Sequence, residues 1–367
     1  PCSTFDFWTA VTDVVISHYM SLLTGQQALG EAEPDNDEPP HPPTDPARGG
    51  RIITTKLHRP PLAPDLVSRL RVLEQLNGWQ QRPLTLISAG AGYGKTTLIS
   101  NWLDIIDYPS AWLSLDERDD DLVSFLTYFI AAVRTRFPDV GRESLALVQA
   151  TSLPPLPVLA ASLANELDQI EPPFILVLDD YHHIREQAIH DFLSELLRHP
   201  PRSVHLVIAT RRDPPLPLTK LRALGQMTEL GDLDLRFTVA ETAAFLQLVT
   251  ELQVDEAAAA VLEQKTEGWP TGLRLSALSL RHRGDLERLL RSLPDNIHNV
   301  RDYLMTEVLS GQPVAVQEFL LKTSILNRFC APLAEAVCTP GTEEPEADSL
   351  AILTQLHQDN LFIIPLD

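Results

Sequence analysis

Leu84-Thr85-Leu86-Ile87-Ser88-Ala89-Gly90-Ala91-Gly92-Tyr93-Gly94-Lys95-Thr96-Thr97 is the stretch that decides how this chain folds. Its first six residues form an apolar run suited to a buried strand, and Leu98 to Ile106 follow in a helical pattern. Between them lies a turn with three glycines, Gly90, Gly92 and Gly94, and the helix opens on a lysine. In such an arrangement the N–H groups of the turn and of the helix N-terminus converge on one spot, where the helix dipole also favours negative charge. The spacing predicts a nucleoside triphosphate site. Lys95 would reach the β- and γ-phosphates, the Thr96 hydroxyl would hold Mg²⁺, and Gly90, Ala91, Gly92, Tyr93, Gly94 and Thr97 would surround the phosphates. The usual spacing G-x-x-x-x-G-K-[ST] calls for glycine at position 89, where this chain has Ala89. Alanine is tolerated there if it keeps a negative φ, with Gly90 and Gly92 supplying freedom.

A second run, Phe174-Ile175-Leu176-Val177-Leu178-Asp179-Asp180, ends in two acids. A buried strand that ends this way delivers carboxylates to the carboxyl edge of the sheet, where ligands collect. Asp179 is expected to hold Mg²⁺ opposite Thr96, and Asp180 to orient or activate the attacking water. The following run, Val204 to Ala209, exits through Thr210-Arg211-Arg212, which places a cation beside the Mg²⁺ strand to sense the γ-phosphate. Gly268-Trp269-Pro270-Thr271-Gly272 reads as a helix–helix turn with a packed tryptophan, and Trp102 and Trp112 read as core.

The chain has 367 residues, enough for two or three domains. Its 29 basic residues against 50 acidic ones give a net charge of −21, which argues against a nucleic-acid surface on this segment. Part of that excess sits in Glu31 to Asp45 and Glu343 to Asp348, which read as solvated loops. Cys2, Cys330 and Cys338 make neither a CxxC pair nor a metal spacing, and fit a reducing cytoplasm. No run is long enough to span a membrane, and the apolar-rich Phe5 to Leu23 lacks the basic leader of a signal peptide. A start at Pro1 and a stop at Asp367 just after an apolar run read as the ends of a piece of a longer protein.

The pattern along the chain predicts an N-terminal helical segment over 1–30, with 5–24 as one amphipathic helix. An acidic, proline-rich linker over 31–50 follows. From 51 to 235, apolar runs at 84–89, 111–115, 174–179 and 204–209 alternate with helical patterns at 95–106, 121–136, 157–169 and 187–198. This predicts an α/β domain with a parallel sheet and helices on both faces, with Met227 to Leu230 as a fifth strand. Strands then stop, and helices are expected at 241–252, 255–266, 271–280, 286–293, 299–309, 314–323, 332–337 and 349–358 before a last strand at 361–364. The division is a helical domain over 236–292 and a winged-helix-like domain over 293–367, truncated at its C-terminus.

Several segments in order carry a family resemblance. They are Thr55-Lys56-Leu57-His58-Arg59-Pro60, Val67-Ser68-Arg69-Leu70, Ala89 to Thr97 and Ala111-Trp112-Leu113-Ser114-Leu115-Asp116. Then follow Leu178-Asp179-Asp180-Tyr181-His182, Ala209 to Pro217, Leu221 to Gln226, Asp234-Leu235-Arg236-Phe237-Thr238 and Glu267 to Leu273. Over 51–367 the chain resembles the signal-transduction ATPases with numerous domains (STAND), and more narrowly the MalT-type ATP-binding regulators of the LuxR group. The resemblance implies a switch. ADP holds a closed monomer, and an inducer sensed by a downstream repeat domain permits exchange to ATP and self-association. It implies that Lys95 and Thr96 serve the phosphates and Mg²⁺, Asp179 the metal and Arg211 the γ-phosphate, with Pro270 near the adenine and Val67 to Arg69 along the base.

Three departures matter. Asp180 stands where many relatives have a catalytic glutamate, so a slow, timer-like ATPase is expected. The winged-helix histidine of the family falls beyond Asp367 and has no assignment. The sensor repeats and DNA-binding helix-turn-helix are missing from this chain, whereas an N-terminal helix and linker are added, which points to an output module at the N-terminus. The rival readings are an ordinary P-loop ATPase or kinase with constitutive turnover, a DNA-binding transcriptional regulator, and a scaffold with a degenerate site.

Overall fold

The computed structural model of the chain describes residues 4–7, 52–62, 66–250, 254–281, 312–324, 326, 328–338, 349–358 and 363–365. The expected linker and the expected helices 286–293 and 299–309 lie outside these residues, as does the stretch 8–24.

Eight strands are present among the described residues: β1 (Thr4–Phe7), β2 (Leu84–Ser88), β3 (Ser110–Ser114), β4 (Phe174–Asp179), β5 (Val204–Thr210), β6 (Met227–Leu230), β7 (Arg328–Cys330) and β8 (Ile363–Pro365). Five of them form a parallel sheet in the order β3-β4-β5-β2-β6. Every residue of β2, β4 and β5 is buried, which explains their unbroken apolar runs. Alternate side chains serve opposite layers. Leu84, Leu86, Leu113, Leu176, Leu178, Leu206 and Ile208 join one cluster, with Phe125, Phe129, Phe192 and Leu193 from covering helices. Ile87, Trp112, Ile175, Val177, Val207 and Ala209 join another, with Leu98, Ile99 and Trp102. Such a sheet is covered on both faces, as the alternation of runs predicts.

The helices Lys95–Ile106, Leu122–Arg134, Leu156–Asp168 and Gln187–Arg198 stand close to where the periodicity puts them. Trp102 and Trp112 are core residues, as expected. The sequence reading missed the helices Leu70–Leu76, Arg142–Val148 and Leu218–Ala223, each at most two turns long and too short for a period to register.

Beyond the sheet, Val239–Thr250, Glu256–Thr266 and Pro270–Arg281 pack around Phe245, Leu246, Val249, Leu262, Leu273 and Ala277. Val67 and Phe237 join this cluster from outside the three helices. The Asp255 carboxylate accepts from Ala258 N at 2.7 Å and starts the second helix. Farther on, Val314–Thr323, Ala331–Cys338 and Ser349–Gln358 accompany a three-stranded antiparallel sheet in the order β7-β1-β8.

That small sheet corrects two expectations. Strands do not end at residue 236, because β7 follows at 328–330. Thr4–Phe7 is not the start of a helix but the middle strand, with Phe5 opposite Phe329 on one side and Pro365 on the other. Four residues cannot establish a helical period, and Thr4-Phe5-Asp6-Phe7 alternates as a strand does; ladders on both sides then decide the outcome. Among the described residues, no helix is long and apolar enough to cross a membrane.

Candidate nucleotide-binding site

The glycine turn leaves β2 at the carboxyl edge of the sheet, and Ala89 N continues the ladder to Thr210 O at 3.1 Å. Ala89 is fully buried and does not have a positive φ, so alanine serves there without strain. The left-handed residues of the turn are Gly92 (φ 76°) and Gly94 (φ 77°), not Gly90. Gly94 precedes the helix Lys95–Ile106, and Leu98 N donates to its carbonyl at 2.9 Å.

Lys95 is 7% exposed, and its ammonium donates to Ala89 O at 2.6 Å and Gly90 O at 2.9 Å. Burial, reinforced by nearby Arg211, pulls its pKa down to about 8. An anion in the turn would relieve both penalties. Thr96 Oγ1 donates to the Asp179 carboxylate, with its oxygens at 3.1 and 2.9 Å, so the two expected metal ligands meet directly. Burial and then the neighbouring Asp180 push Asp179 up to about 7. Among the described residues, no group of three or more His, Cys, Asp and Glu could hold a metal by itself. A divalent cation completed by phosphate and water oxygens suits this sparse set of oxygen donors and would stabilise the buried carboxylate.

Asp180 occupies a left-handed conformation (φ 57°) that is costly for a residue with a Cβ, and its side chain is half exposed. It lines the same cavity as Arg211. His182 follows, its Nδ1 3.8 Å from Asp180 Oδ1 and both ring nitrogens without hydrogen-bond partners. Burial, together with Arg211 and other nearby cations, holds this imidazole neutral, far below its usual range.

The turn opens on a cavity of about 390 Å³. Gly92, Tyr93, Gly94, Lys95, Thr96 and Thr97 line one side, and Asp180 and Arg211 stand at the sheet edge. Val67, Phe237, Phe245 and Pro270 supply apolar surface from the helical side. Val67 and Pro270 thus line the same cavity as the glycine turn. Arg69 also lines the cavity, but its guanidinium is committed elsewhere: it donates to Leu235 O at 2.7 Å and Arg236 O at 2.9 Å, 4.8 Å from the Phe237 ring centre. Tyr93 is buried, with its phenol pKa raised by burial and then by Asp232.

Sequence reasoning missed the groups that hold the turn from behind. The Asp232 carboxylate accepts from Gly90 N at 3.0 Å. Trp269 Nε1 donates to Ala91 O at 3.1 Å, and Thr271 donates to Gly92 O through both its N–H (3.2 Å) and its hydroxyl (2.9 Å). Asn101 and Arg274 also line the cavity. Only the Gly268–Gly272 motif hinted at any of this, and it reads locally as a packed turn.

The sheet, the glycine turn and the Thr96–Asp179 pair define a P-loop nucleotide-binding ATPase domain, followed by helices and a small sheet. Comparison with known proteins agrees: the AAA ATPase domain matches residues 65–209 and the MalT winged helix domain residues 305–367. The HTH-type transcriptional regulator MalT of Yersinia enterocolitica is 34% identical over 319 residues, and that of Klebsiella pneumoniae (strain 342) 37% over 324. In both cases the match covers 86% of this chain and 34% of the relative, so the chain spans about a third of their length. The Walker-type ATPase of Pyrococcus abyssi has a similar fold (TM-score 0.57, 15% identity, 82% of this chain and 91% of that one). The chain thus carries a P-loop AAA ATPase domain followed by a segment that matches the MalT winged helix domain, and over both it is similar to these regulators.

Proposed function

We propose that this chain is the core of an ATP/ADP-operated signalling switch in a longer regulator. ADP holds a closed monomer, and exchange to ATP lets the core self-associate and drive an output. The observation that carries this reading is one cavity shared by Lys95, Thr96 and Arg211 at the sheet edge and Phe237, Phe245 and Pro270 on the helical side. A ligand bridging such a cavity biases the seating of its two walls.

Lys95 would pair with the β- and γ-phosphates, and the P-loop amides from Gly90 to Thr97 would surround them. Thr96 and Asp179 would hold Mg²⁺, which supplies charge neutralisation of the phosphates when bound. Arg211 would contact the γ-phosphate, and Val67, Arg69 and Pro270 would border the base. Asp180 would orient the attacking water; a short carboxylate in a strained backbone suits slow turnover that times the switch.

The inducer would act through a sensor domain outside this chain, in the cytoplasm. The relatives are named as transcriptional regulators, so a transcriptional output of the longer protein is part of the proposal. The net charge of −21 speaks against this segment as the DNA-binding part. Replacing Lys95 with alanine tests the site: ADP binding is expected to disappear with the fold retained, and unchanged binding would contradict the assignment.

A further inference from the structure

We infer that Trp269 and Thr271 are positioning residues of the nucleotide site, holding the outward carbonyls of the P-loop so that its amides face the phosphates. The inference rests on the nucleotide-switch reading above and adds the means by which occupancy is felt by the helix Pro270–Arg281.

The geometry follows from the planar peptide. The carbonyl of one residue and the N–H of the next lie in one rigid plane and point in opposite directions. Trp269 Nε1 fixes Ala91 O at 3.1 Å, and the same plane carries the Gly92 N–H. Thr271 fixes Gly92 O twice, at 3.2 Å from its N–H and 2.9 Å from its hydroxyl, and that plane carries the Tyr93 N–H. The N–H groups of Gly92 and Tyr93 are thereby turned away from the helix, and Gly92 and Tyr93 both line the cavity. One of the three donors is the N–H of Thr271 in the first turn of its helix, a group with no partner inside the helix.

The approach is close. A Cβ on Gly92 would stand 2.6 Å from Thr271 Oγ1 and 2.9 Å from Trp269 Nε1. Gly92 is therefore required by the helix behind it as well as by its own φ of 76°. Trp269 is 1% exposed, so its bond to Ala91 O is shielded from water. Lifting the helix from the P-loop breaks all three bonds together and frees both peptide planes. Because linkage is reciprocal, anything that draws this helix away lowers nucleotide affinity, and bound nucleotide holds the helix in place by the same factor.

The test measures affinity and release of a fluorescent ADP analogue in the wild type, Thr271→Val, Thr271→Ser, Trp269→Phe and Lys95→Ala. Thr271→Val and Trp269→Phe are each expected to weaken binding about tenfold, mainly through faster release. Thr271→Ser should return to within about twofold of wild type, because it keeps the hydroxyl. Nucleotide-free melting curves of the soluble variants should stay cooperative, with only the modest loss that one buried hydrogen bond brings. In the wild type, ADP should also slow amide hydrogen exchange over 266–277, a measurement that needs no variant to fold. Wild-type binding by Thr271→Val and Trp269→Phe while Lys95→Ala binds nothing overturns the positioning role and leaves the site standing. Failure of Thr271→Ser to restore binding, or no effect of ADP on exchange over 266–277, also overturns it. Undiminished binding by Lys95→Ala overturns the site reading itself.

Discussion

Thr96 Oγ1 lies 3.1 and 2.9 Å from the two carboxylate oxygens of Asp179, a contact between residues 83 apart in sequence. The helix after β2 and the end of β4 meet there although β5 separates those strands in the sheet. Removing the hydroxyl with Thr96→Ala is expected to cost about tenfold or more in Mg²⁺-dependent ATP affinity, on the scale of one lost hydrogen bond to a charged group. ADP binding without Mg²⁺ should change far less. Titrations with and without the metal check this, and equal losses in both would contradict the assignment.

Asp180 is proposed to orient the attacking water, and its substitution would isolate chemistry from binding. Asp180→Asn is expected to lower ATP turnover by about 10²-fold or more while leaving ADP affinity near wild type. Steady-state phosphate release alongside ADP titration separates the two effects. Unchanged turnover would move the role elsewhere.

Gly92 and Gly94 share almost the same φ but not the same surroundings. A Cβ on Gly94 meets nothing within 4 Å, whereas one on Gly92 collides with Thr271 and Trp269. Gly94→Ala should cost about 1–2 kcal/mol, the left-handed strain alone. Gly92→Ala should cost clearly more. Denaturant unfolding without nucleotide makes the comparison, and equal losses would show that the helix does not press on the turn.

His205 gives the fold a pH dependence away from the nucleotide. It is 3% exposed, between Thr85 Oγ1 at Nε2 and Arg82 O at Nδ1, and burial pulls its pKa down to about 4. The unfolded chain takes up this proton near pH 6.5 and the folded chain only near 4, so stability falls as pH drops through that window. The loss from this one group is on the order of 3 kcal/mol. His205→Gln should flatten the fall between pH 7 and 4, and parallel profiles for both proteins would contradict the assignment.

The sheet and the phosphate turn were legible for one physical reason: parallel strands buried on both faces must be continuous apolar runs, and a phosphate cradle needs glycines before a lysine-led helix. Lys95, Thr96 and Asp179 could be placed from those runs, whereas the choice of Arg211 within Thr210-Arg211-Arg212 came from the family resemblance. Asp232, Trp269 and Thr271 could not, because side chains that satisfy P-loop peptide groups leave no period in the sequence. Arg69 lines the cavity, but nothing in the sequence signalled that carbonyls of residues 234–236 take its guanidinium. Thr4–Phe7 was assigned by its helical surroundings, whereas its partners lie more than 320 residues away.

The central claim is a resting switch that holds its nucleotide. Denaturing the purified protein and identifying the released nucleotide by chromatography tests it most directly. Close to one ADP per chain, with ATP turnover below about 1 s⁻¹, is the predicted result. An empty, freely exchanging site with sustained turnover well above that rate would contradict it and mark an ordinary ATPase.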